Sequence, residues 1–350
     1  MYLSEVYLSE DRQINYFRET AMKKDILKHL LENQGKYVSG EELSSLFGVS
    51  RTAIWKHINS IKNDGYPVVS SPRRGYCLTG RPDVLNAQEV KINLAADIIG
   101  QLVYFYEKVD STNEIVKKMA AEGLPEGTVV IAEQQLCGKG RIGRNWVSPA
   151  GVGIWFSLLL RPGIKPHVAP QLSLACAAAV CRAIRRFTGL DVRIKWPNDL
   201  LIGQKKVCGI LTELSAEIDM VNYVIVGIGI NVNQKEKDFS CEIKDTATSL
   251  SEIAGHDFRR VELLREVLAE IERTYLEYLT SGFPGVLRQW RELCSTLGQE
   301  VSVISTGENF SGLAEDIDEN GHLLVRMANR ELRAVVAGDV SIRRRDGQYT

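Results

Sequence analysis

Residues 138–146 read Gly-Lys-Gly-Arg-Ile-Gly-Arg-Asn-Trp and follow a run, 128–133, with the β-branched character of a strand. The first six residues match G-x-G-x-x-G, and the fold class turns on what they are for. In a dinucleotide-binding unit the glycines lead into a helix whose N-terminus receives the pyrophosphate, and an acidic residue closes the next strand. Here the chain goes on as Arg144-Asn145-Trp146-Val147-Ser148-Pro149, which does not start a helix, and the motif's variable positions include the cations Lys139 and Arg141, which such a loop does not require. The stretch reads instead as a flexible glycine loop that brings Lys139, Arg141 and Arg144 around a polyanion. Glycine lets the backbone approach the ligand, and the cations offset phosphate charge as it develops and departs. A solvated basic surface loop is the other reading of this segment taken alone. No Walker A pattern occurs in the chain, so ordinary P-loop chemistry is excluded.

On either side of this loop, strands and helices alternate. Strands are expected over 103–109 and 153–160, with Asp110-Ser111-Thr112-Asn113 opening a helix that ends near Gly123. A long small-residue helix covers roughly 168–187. Strands at 192–196, 200–202, 207–214 and 223–232 are joined by turns as short as Gly203-Gln204-Lys205, which predicts hairpins and a mixed or antiparallel sheet. Helices follow over 260–279 and 284–293. From Leu297 short alternating strands, separated by turns such as Asp318-Glu319-Asn320-Gly321, predict a small SH3-like β-barrel ending at about Arg344.

Toward the N-terminus, helical periodicity begins at Met22 with Ile26, Leu27, Leu30 and Leu31 on one face, and Gly35 ends it. Ser39-Gly40-Glu41-Glu42 reads as a capping box, the Ser39 hydroxyl accepting from the Glu42 N–H while the Glu42 carboxylate reaches back. Ser50 caps a third helix running to about Asn63, and two short strands, 68–70 and 76–78, flank Ser71-Pro72-Arg73-Arg74-Gly75. Three helices and a basic hairpin are the order of a winged helix-turn-helix. In the third helix Ile54, Ile58 and Ile61 face the core, which leaves Thr52, Trp55, Lys56 and Asn59 on the opposite face with Arg51 at its edge. Those side chains suit base edges in a major groove, and Arg73 and Arg74 suit phosphates or the minor groove. A protein-binding module with a solvated basic face is the alternative.

The expected organisation is α+β and multidomain: a winged helix-turn-helix over 22–80, a mixed-sheet α/β domain over 87–295 and the barrel over 297–346, with 80–86 as a linker. Residues 1–21 lack periodicity and read either as a disordered extension or as a segment preceding the true start at Met22. With a formal net charge of -1, any nucleic-acid surface must be a local basic patch. No apolar run reaches the roughly 18 residues of a membrane helix, the best being 172–184 with Arg182 inside it, so no membrane partner is expected. The N-terminus lacks the order of a signal peptide. Seven scattered cysteines without a C-x-x-C pair argue against a disulfide framework or a zinc site, and point to a reducing cytoplasm.

Lys195-Trp196-Pro197-Asn198-Asp199 is the second unusual run. Lys195 ends an apolar strand, so its ammonium is expected to point into a site where it holds an α-phosphate and a carboxylate together. Taken alone, it also reads as a solvated strand end. The stretches DSTN at 110–113, QLCGKGRIGRNW at 135–146, KWPNDL at 195–200, KKVCGIL at 205–211 and GIGINVN at 227–233 resemble, in this order, those of biotin–protein ligases. With the winged helix and the barrel, the chain over about 22–344 is similar to the bifunctional bacterial type, the biotin operon repressor.

That resemblance implies that Ser111, Thr112, Asn113 and Gln135 meet the biotin ureido ring, and that Lys139, Gly140 and Arg141 form the biotin- and adenylate-binding loop. Lys195, with Arg141, would contact the reacting groups as the catalytic pair. Gly209 and the Gly227/Gly229 pair would be close-approach positions on the pocket strands, or simply sites of tight sheet packing. Residues 233–249 would close over the adenosine, but Thr248-Ser249 stands where relatives often carry a tryptophan, so adenine contacts stay unassigned. The implied substrates are ATP and biotin, with Mg2+ neutralising the pyrophosphate and no metal ligands assigned. The product biotinyl-5'-AMP would pass biotin to a lysine of a biotin carboxyl carrier protein, and as corepressor would promote a homodimer on operator DNA. A ligand-sensing transcription factor without turnover and a ligase for another acid such as lipoate are the competing readings. No protein nucleophile is needed: the five histidines form no triad-like group, and Cys137 reads as a small buried residue.

Overall fold

Apolar residues at helical spacing build the first of two compact units, Met1–Val84 and Leu85–Thr350. The computed structural model describes residues 22–23, 25–80, 82–305, 309–336 and 340–344, and the expectations for 1–21 lie outside them. Helix α1 (25–32) buries Ile26, Leu27 and Leu30. Helix α2 (Gly40–Phe47) starts where Ser39 Oγ accepts from Glu42 N at 3.0 Å, while the Glu42 carboxylate is turned toward His29 Nε2, 3.8 Å away. Helix α3 (Arg51–Asn63) is capped by Ser50 Oγ, which accepts from Ala53 N at 3.2 Å, and buries Ile54, Ile58 and Ile61. Strands β1 (Val68–Ser71) and β2 (Gly75–Leu78) pair antiparallel, and Val38 bridges to Tyr76. Gly75, at φ 99°, passes so close to the Val38 carbonyl that a Cβ would lie 2.1 Å from its oxygen, which requires glycine at the base of this wing.

In the second unit a short helix α4 (Ala87–Lys91) precedes a seven-stranded sheet. Its strands are β3 (Val103–Val109), β4 (Val129–Gln135), β5 (Gly153–Leu160), β6 (Val192–Lys195), β7 (Asp199–Ile202), β8 (Lys205–Ala216) and β9 (Val221–Asn231), in the order β3-β4-β5-β9-β8-β7-β6. Only β3 and β4, joined through helix α5 (Thr112–Ala121), run parallel; the remaining pairs are antiparallel, so the sheet is mixed as expected. All eight residues of β5 are buried, because α5 covers one face and the other helices the opposite one.

That opposite layer holds α6 (Ala169–Thr188), α7 (Leu250–Ala254), α8 (Arg260–Ser281) and α9 (Phe283–Leu293). The segment Pro166–Thr188 is long and apolar enough to cross a membrane, yet 72% of its apolar window is buried inside the protein, which makes it a core helix. Arg182 interrupts its apolar run for a reason: the guanidinium donates to Glu270 Oε1 at 2.6 Å, Thr274 Oγ1 at 2.6 Å and Gln289 Oε1, tying α6 to α8 and α9. The last strands, β10 (Glu300–Ser305), β11 (Phe310–Ile317), β12 (Leu323–Arg326), β13 (Leu332–Val335) and β14 (Val340–Arg344), form an antiparallel sheet in the order β13-β12-β11-β10-β14. This is the small SH3-like domain that the sequence predicts, and its Val301, Ile317 and Leu323 join the core of the unit.

Burial pushes the Glu270 carboxyl up, but hydrogen bonds from Arg273, Arg182 and Arg186 more than offset it and hold it at about 2, against an ordinary 4.5. Since the folded value is depressed, the stabilisation is complete above about pH 4.5 and is lost as pH falls toward 2. A shift of this size corresponds to on the order of 3 kcal/mol. Glu270→Gln is therefore expected to lower the urea unfolding free energy by about 3 kcal/mol at pH 7, and the gap to the wild type should close between pH 4.5 and 2. A pH-independent difference would count against the network.

Candidate functional site

The first turn of α5 forms one wall of a cavity of about 400 Å³. Ser111, Thr112 and Asn113 are each buried, and Ser111, although at the N-cap position, makes no side-chain cap bond. Gln135 does that work from β4: its Oε1 accepts from Thr112 N at 2.9 Å and Thr112 Oγ1 at 3.1 Å, while its Nε2 donates to Ser148 Oγ at 2.9 Å. Ser157 Oγ on β5 lies 2.6 Å from Thr112 Oγ1 and 2.5 Å from Asn113 Oδ1. A row of amides and hydroxyls thus faces a buried space, a surface able to match a small polar ring.

The floor comes from glycines. Gly209 on β8 pairs with Gly229 on β9, and the Trp146 indole lies over both. A Cβ on Gly229 would stand 2.3 Å from Trp146 Nε1, one on Gly209 2.9 Å from Trp146 Cζ3, and one on Gly227 2.2 Å from Asn113 Oδ1. What approaches each glycine is a side chain of the cavity, so these positions admit site groups rather than tighten the sheet.

The loop at 138–146 closes on itself: Trp146 N donates to Gly138 O at 2.8 Å and Gly140 N to Arg144 O at 2.7 Å. At its tip Ile142, with φ 56°, is half exposed. Lys139 Nζ lies 2.5 Å from Glu114 Oε1, a hydrogen bond that raises the ammonium and lowers the carboxyl from their ordinary values. Arg141 Nη1 donates to Asn198 Oδ1 at 3.0 Å. Cys137, expected to be buried, is exposed, because the strand carries its Gln135 side chain to α5 and its following residues peel away toward the hairpin.

Lys195 ends β6 and lines the cavity with only 4% of its surface exposed. The backbone around it is fastened to the C-terminal domain and the segment leading into it. Ser295 N donates to Ile194 O at 2.8 Å, Trp196 N to Thr296 Oγ1 at 3.0 Å, and Trp196 Nε1 to Gly321 O at 3.2 Å. Asn198 Nδ2 donates to Ile210 O, which fixes the turn after the cis Trp196–Pro197 bond. A second lysine that the sequence reading left without a role, Lys206, pairs with Asp199 Oδ1 at 2.5 Å and stands 5.0 Å from the centroid of the Trp146 ring. Simple strand alternation could not place it, since the β7–β8 register shifts between Leu200 and Leu201. Phe239 and Ile243 close the far end, and the buried Thr248 and Ser249 anchor that loop, Thr248 N to Lys206 O at 3.0 Å and Ser249 Oγ to Gln234 O at 2.6 Å.

Ser111, Thr112, Asn113, Gln135, Lys139, Gly140, Arg141, Lys195 and Gly209, which the sequence singled out as binding residues, line the one cavity, as do Arg144, Gly227 and Gly229. Lys139, Arg141, Arg144, Lys195 and Lys206 face it against three carboxylates, Asp199, Asp238 and Glu242, which suits a polyanion. Among the described residues no group of three or more His, Cys, Asp or Glu could hold a metal ion.

In the first unit α3 presents Arg51, Thr52, Lys56 and a 55% exposed Trp55, with Asn59 partly buried. Arg51 pairs with Glu41 at 2.6 Å. On the wing Arg73 is exposed at φ 71°, whereas the Arg74 guanidinium lies 4.2 Å from the centroid of the Tyr37 ring.

Three family descriptions match the chain: an HTH domain at 23–77, the Biotin/lipoate A/B protein ligase family at 105–231 and a Biotin protein ligase C terminal domain at 296–343. The bifunctional ligase/repressor BirA of Bacillus subtilis is 38% identical over 323 residues, 92% of this chain and 99% of that protein. BirA of Escherichia coli is 31% identical over 314 residues, 90% of this chain and 95% of that protein. The structure of the Aquifex aeolicus biotin protein ligase in complex with biotin and ATP is similar with a TM-score of 0.61 at 34% identity, covering 70% of this chain and 99% of that one.

Trp196→Phe removes the N–H that Gly321 O accepts inside the core. The expected loss is about 1–2 kcal/mol of unfolding free energy, measured by urea titration. A loss below about 0.5 kcal/mol would show that this bond does not fasten the lysine strand.

Proposed function

Because this chain belongs to the bifunctional ligase/repressor branch of the biotin protein ligase family, we propose that it joins biotin to a lysine of a carrier protein at the expense of ATP and represses biotin genes through its winged helix. The observation that carries the ligase reading is the union, in one cavity, of the buried amide and hydroxyl row of α5 with the cations Lys195, Arg141 and Lys206. The row meets the ureido ring, and the cations receive the carboxylate and the triphosphate. A dithiolane ring offers little to such a row, which favours biotin over lipoate.

A carboxylate oxygen of biotin attacks the α-phosphorus of ATP, the bond from that phosphorus to the bridging oxygen breaks, and pyrophosphate leaves with the electron pair. Lys195, held at the strand end, lowers the repulsion between carboxylate and phosphate, and Arg141 and Lys206 stabilise the departing charge. The acceptor lysine, as free amine, then attacks the carbonyl carbon of biotinyl-5'-AMP and displaces AMP. Catalysis rests on positioning and electrostatics. Mg2+ fits best as the counter-ion of the nucleotide phosphates, since no protein cage for it exists among the described residues. Phe239 and Ile243 are the groups we assign to the adenine face.

For the second activity, Thr52, Trp55, Lys56 and Asn59 enter a major groove while Arg73 reaches the backbone, and biotinyl-5'-AMP promotes a homodimer that presents two such helices to a palindrome. Seven free cysteines fit a cytoplasmic setting.

Biotin-dependent ATP–pyrophosphate exchange is the test. Lys195→Met should keep the fold and lower the exchange rate by two to three orders of magnitude; folded wild-type protein without exchange would sink the ligase reading. Separately, Lys56→Ala or Arg73→Ala should weaken operator binding about tenfold with exchange unchanged. Sedimentation that does not respond to biotinyl-5'-AMP would remove the proposed link between the two activities.

A further inference from the structure

Asn113 is 4% exposed and its side-chain amide is enclosed on three sides. Its Nδ2 donates to Glu213 Oε2 on β8 at 2.5 Å, its Oδ1 meets Ser157 Oγ on β5 at 2.5 Å, and the missing side chain of Gly227 on β9 makes room for that oxygen. A carboxylate only accepts hydrogen bonds, so Glu213 decides which end of this amide is which. The nitrogen must face β8, and the oxygen must therefore face Ser157. Along the same wall the Thr112 N–H and hydroxyl are both directed at Gln135 Oε1, which turns the Gln135 nitrogen toward Ser148. Each of the two amide nitrogens uses one proton within the wall and carries a second.

We propose that Glu213 is a positioning residue which, by fixing the Asn113 amide, makes this wall a hydrogen-bond donor to the carbonyl oxygen of a cyclic urea, and so determines which ring the site accepts. Glu213 does not itself line the cavity, whereas Asn113 does. The inference rests on the ligase reading above and adds the polarity of the ring subsite to it. Without the carboxylate the amide loses its orienting partner, and a buried site whose donors are misaligned discriminates poorly, because the ligand oxygen is then left unpaired. The charge of Glu213 also reaches Lys139, whose own hydrogen bond goes to Glu114, so a second route through the loop must be separated from the first.

The experiment measures KM for biotin and for ATP in pyrophosphate exchange, with melting temperature, for wild type, Glu213→Met, Glu213→Gln, Lys139→Met and the Glu213→Met/Lys139→Met pair. The proposal expects Glu213→Met to raise the biotin KM about tenfold with the ATP KM within about twofold and the melting temperature close to wild type. Glu213→Gln keeps an accepting oxygen and should stay within about threefold of wild type. The tenfold factor should persist when Lys139→Met is the background. A biotin KM unmoved by Glu213→Met, a parallel rise in both KM values, equal damage from Glu213→Gln, or disappearance of the effect in the Lys139→Met background would each overturn it. Wild-type protein without biotin-dependent exchange would overturn the ligase reading and this inference with it, which is a different result from normal exchange indifferent to position 213.

Discussion

Burying the Lys195 ammonium is the constraint on which the rest of the site depends. Lys195 as a residue is 4% exposed, and enclosing its charge is costly unless polar or anionic groups meet it, since a lysine stem is otherwise free to carry its charge to water. Here the strand is the outermost of its sheet, so its free edge needs a cover. Residues 294–296 supply it: Cys294 bridges to Ile194, Ser295 satisfies the Ile194 carbonyl, and Thr296 accepts the Trp196 N–H. The turn at Gly321 then accepts the indole N–H. The segment leading into the small C-terminal sheet therefore holds the backbone on both sides of Lys195, and the sheet adds the Gly321 turn, which holds the Trp196 indole.

Much of this was legible in the residues. Ser39 and Ser50 announce the starts of α2 and α3 because a hydroxyl one position before a helix satisfies an N–H that has no partner in the helix. The short turns between 192 and 232 could not accommodate the crossovers of a parallel sheet, and the sheet is antiparallel there. Glycines 227 and 229 were visible as close-approach positions, although periodicity alone did not say whether another strand or a side chain approaches. The deciding partners, Asn113 for Gly227 and Trp146 for Gly229, come from segments more than eighty residues away, and no local pattern encodes those contacts.

What the residues concealed has the same origin. Lys206 sits beyond a register shift, so counting alternate positions from Gly209 misplaces it. Cys137 is small, yet the hairpin that follows lifts it to the surface. Helix α4 lay just past a stretch rich in linker signals, and it persists because Asn86 caps it and Arg265 bonds the Glu89 carbonyl. Arg182 looked like an interruption of an apolar helix, and is instead the centre of an ion network that only three packed helices could assemble.

The glycine loop that first posed the question of fold illustrates how one pattern can serve opposite ends. In a dinucleotide fingerprint, absent side chains let phosphate reach a helix N-terminus. In this chain strand β5 follows the loop, and at the helix start that does face the cavity, that of α5, the Thr112 N–H already donates to the Gln135 oxygen. With that N–H engaged, the positive charge facing the cavity comes chiefly from side chains, and lysines and arginines on three separate segments, 139–144, Lys195 and Lys206, supply it. Gln135 thereby sets the α5 wall apart as a neutral row of amides and hydroxyls while the cationic Lys195, Arg141 and Lys206 line the same cavity, and the proposed ligase reading uses that division.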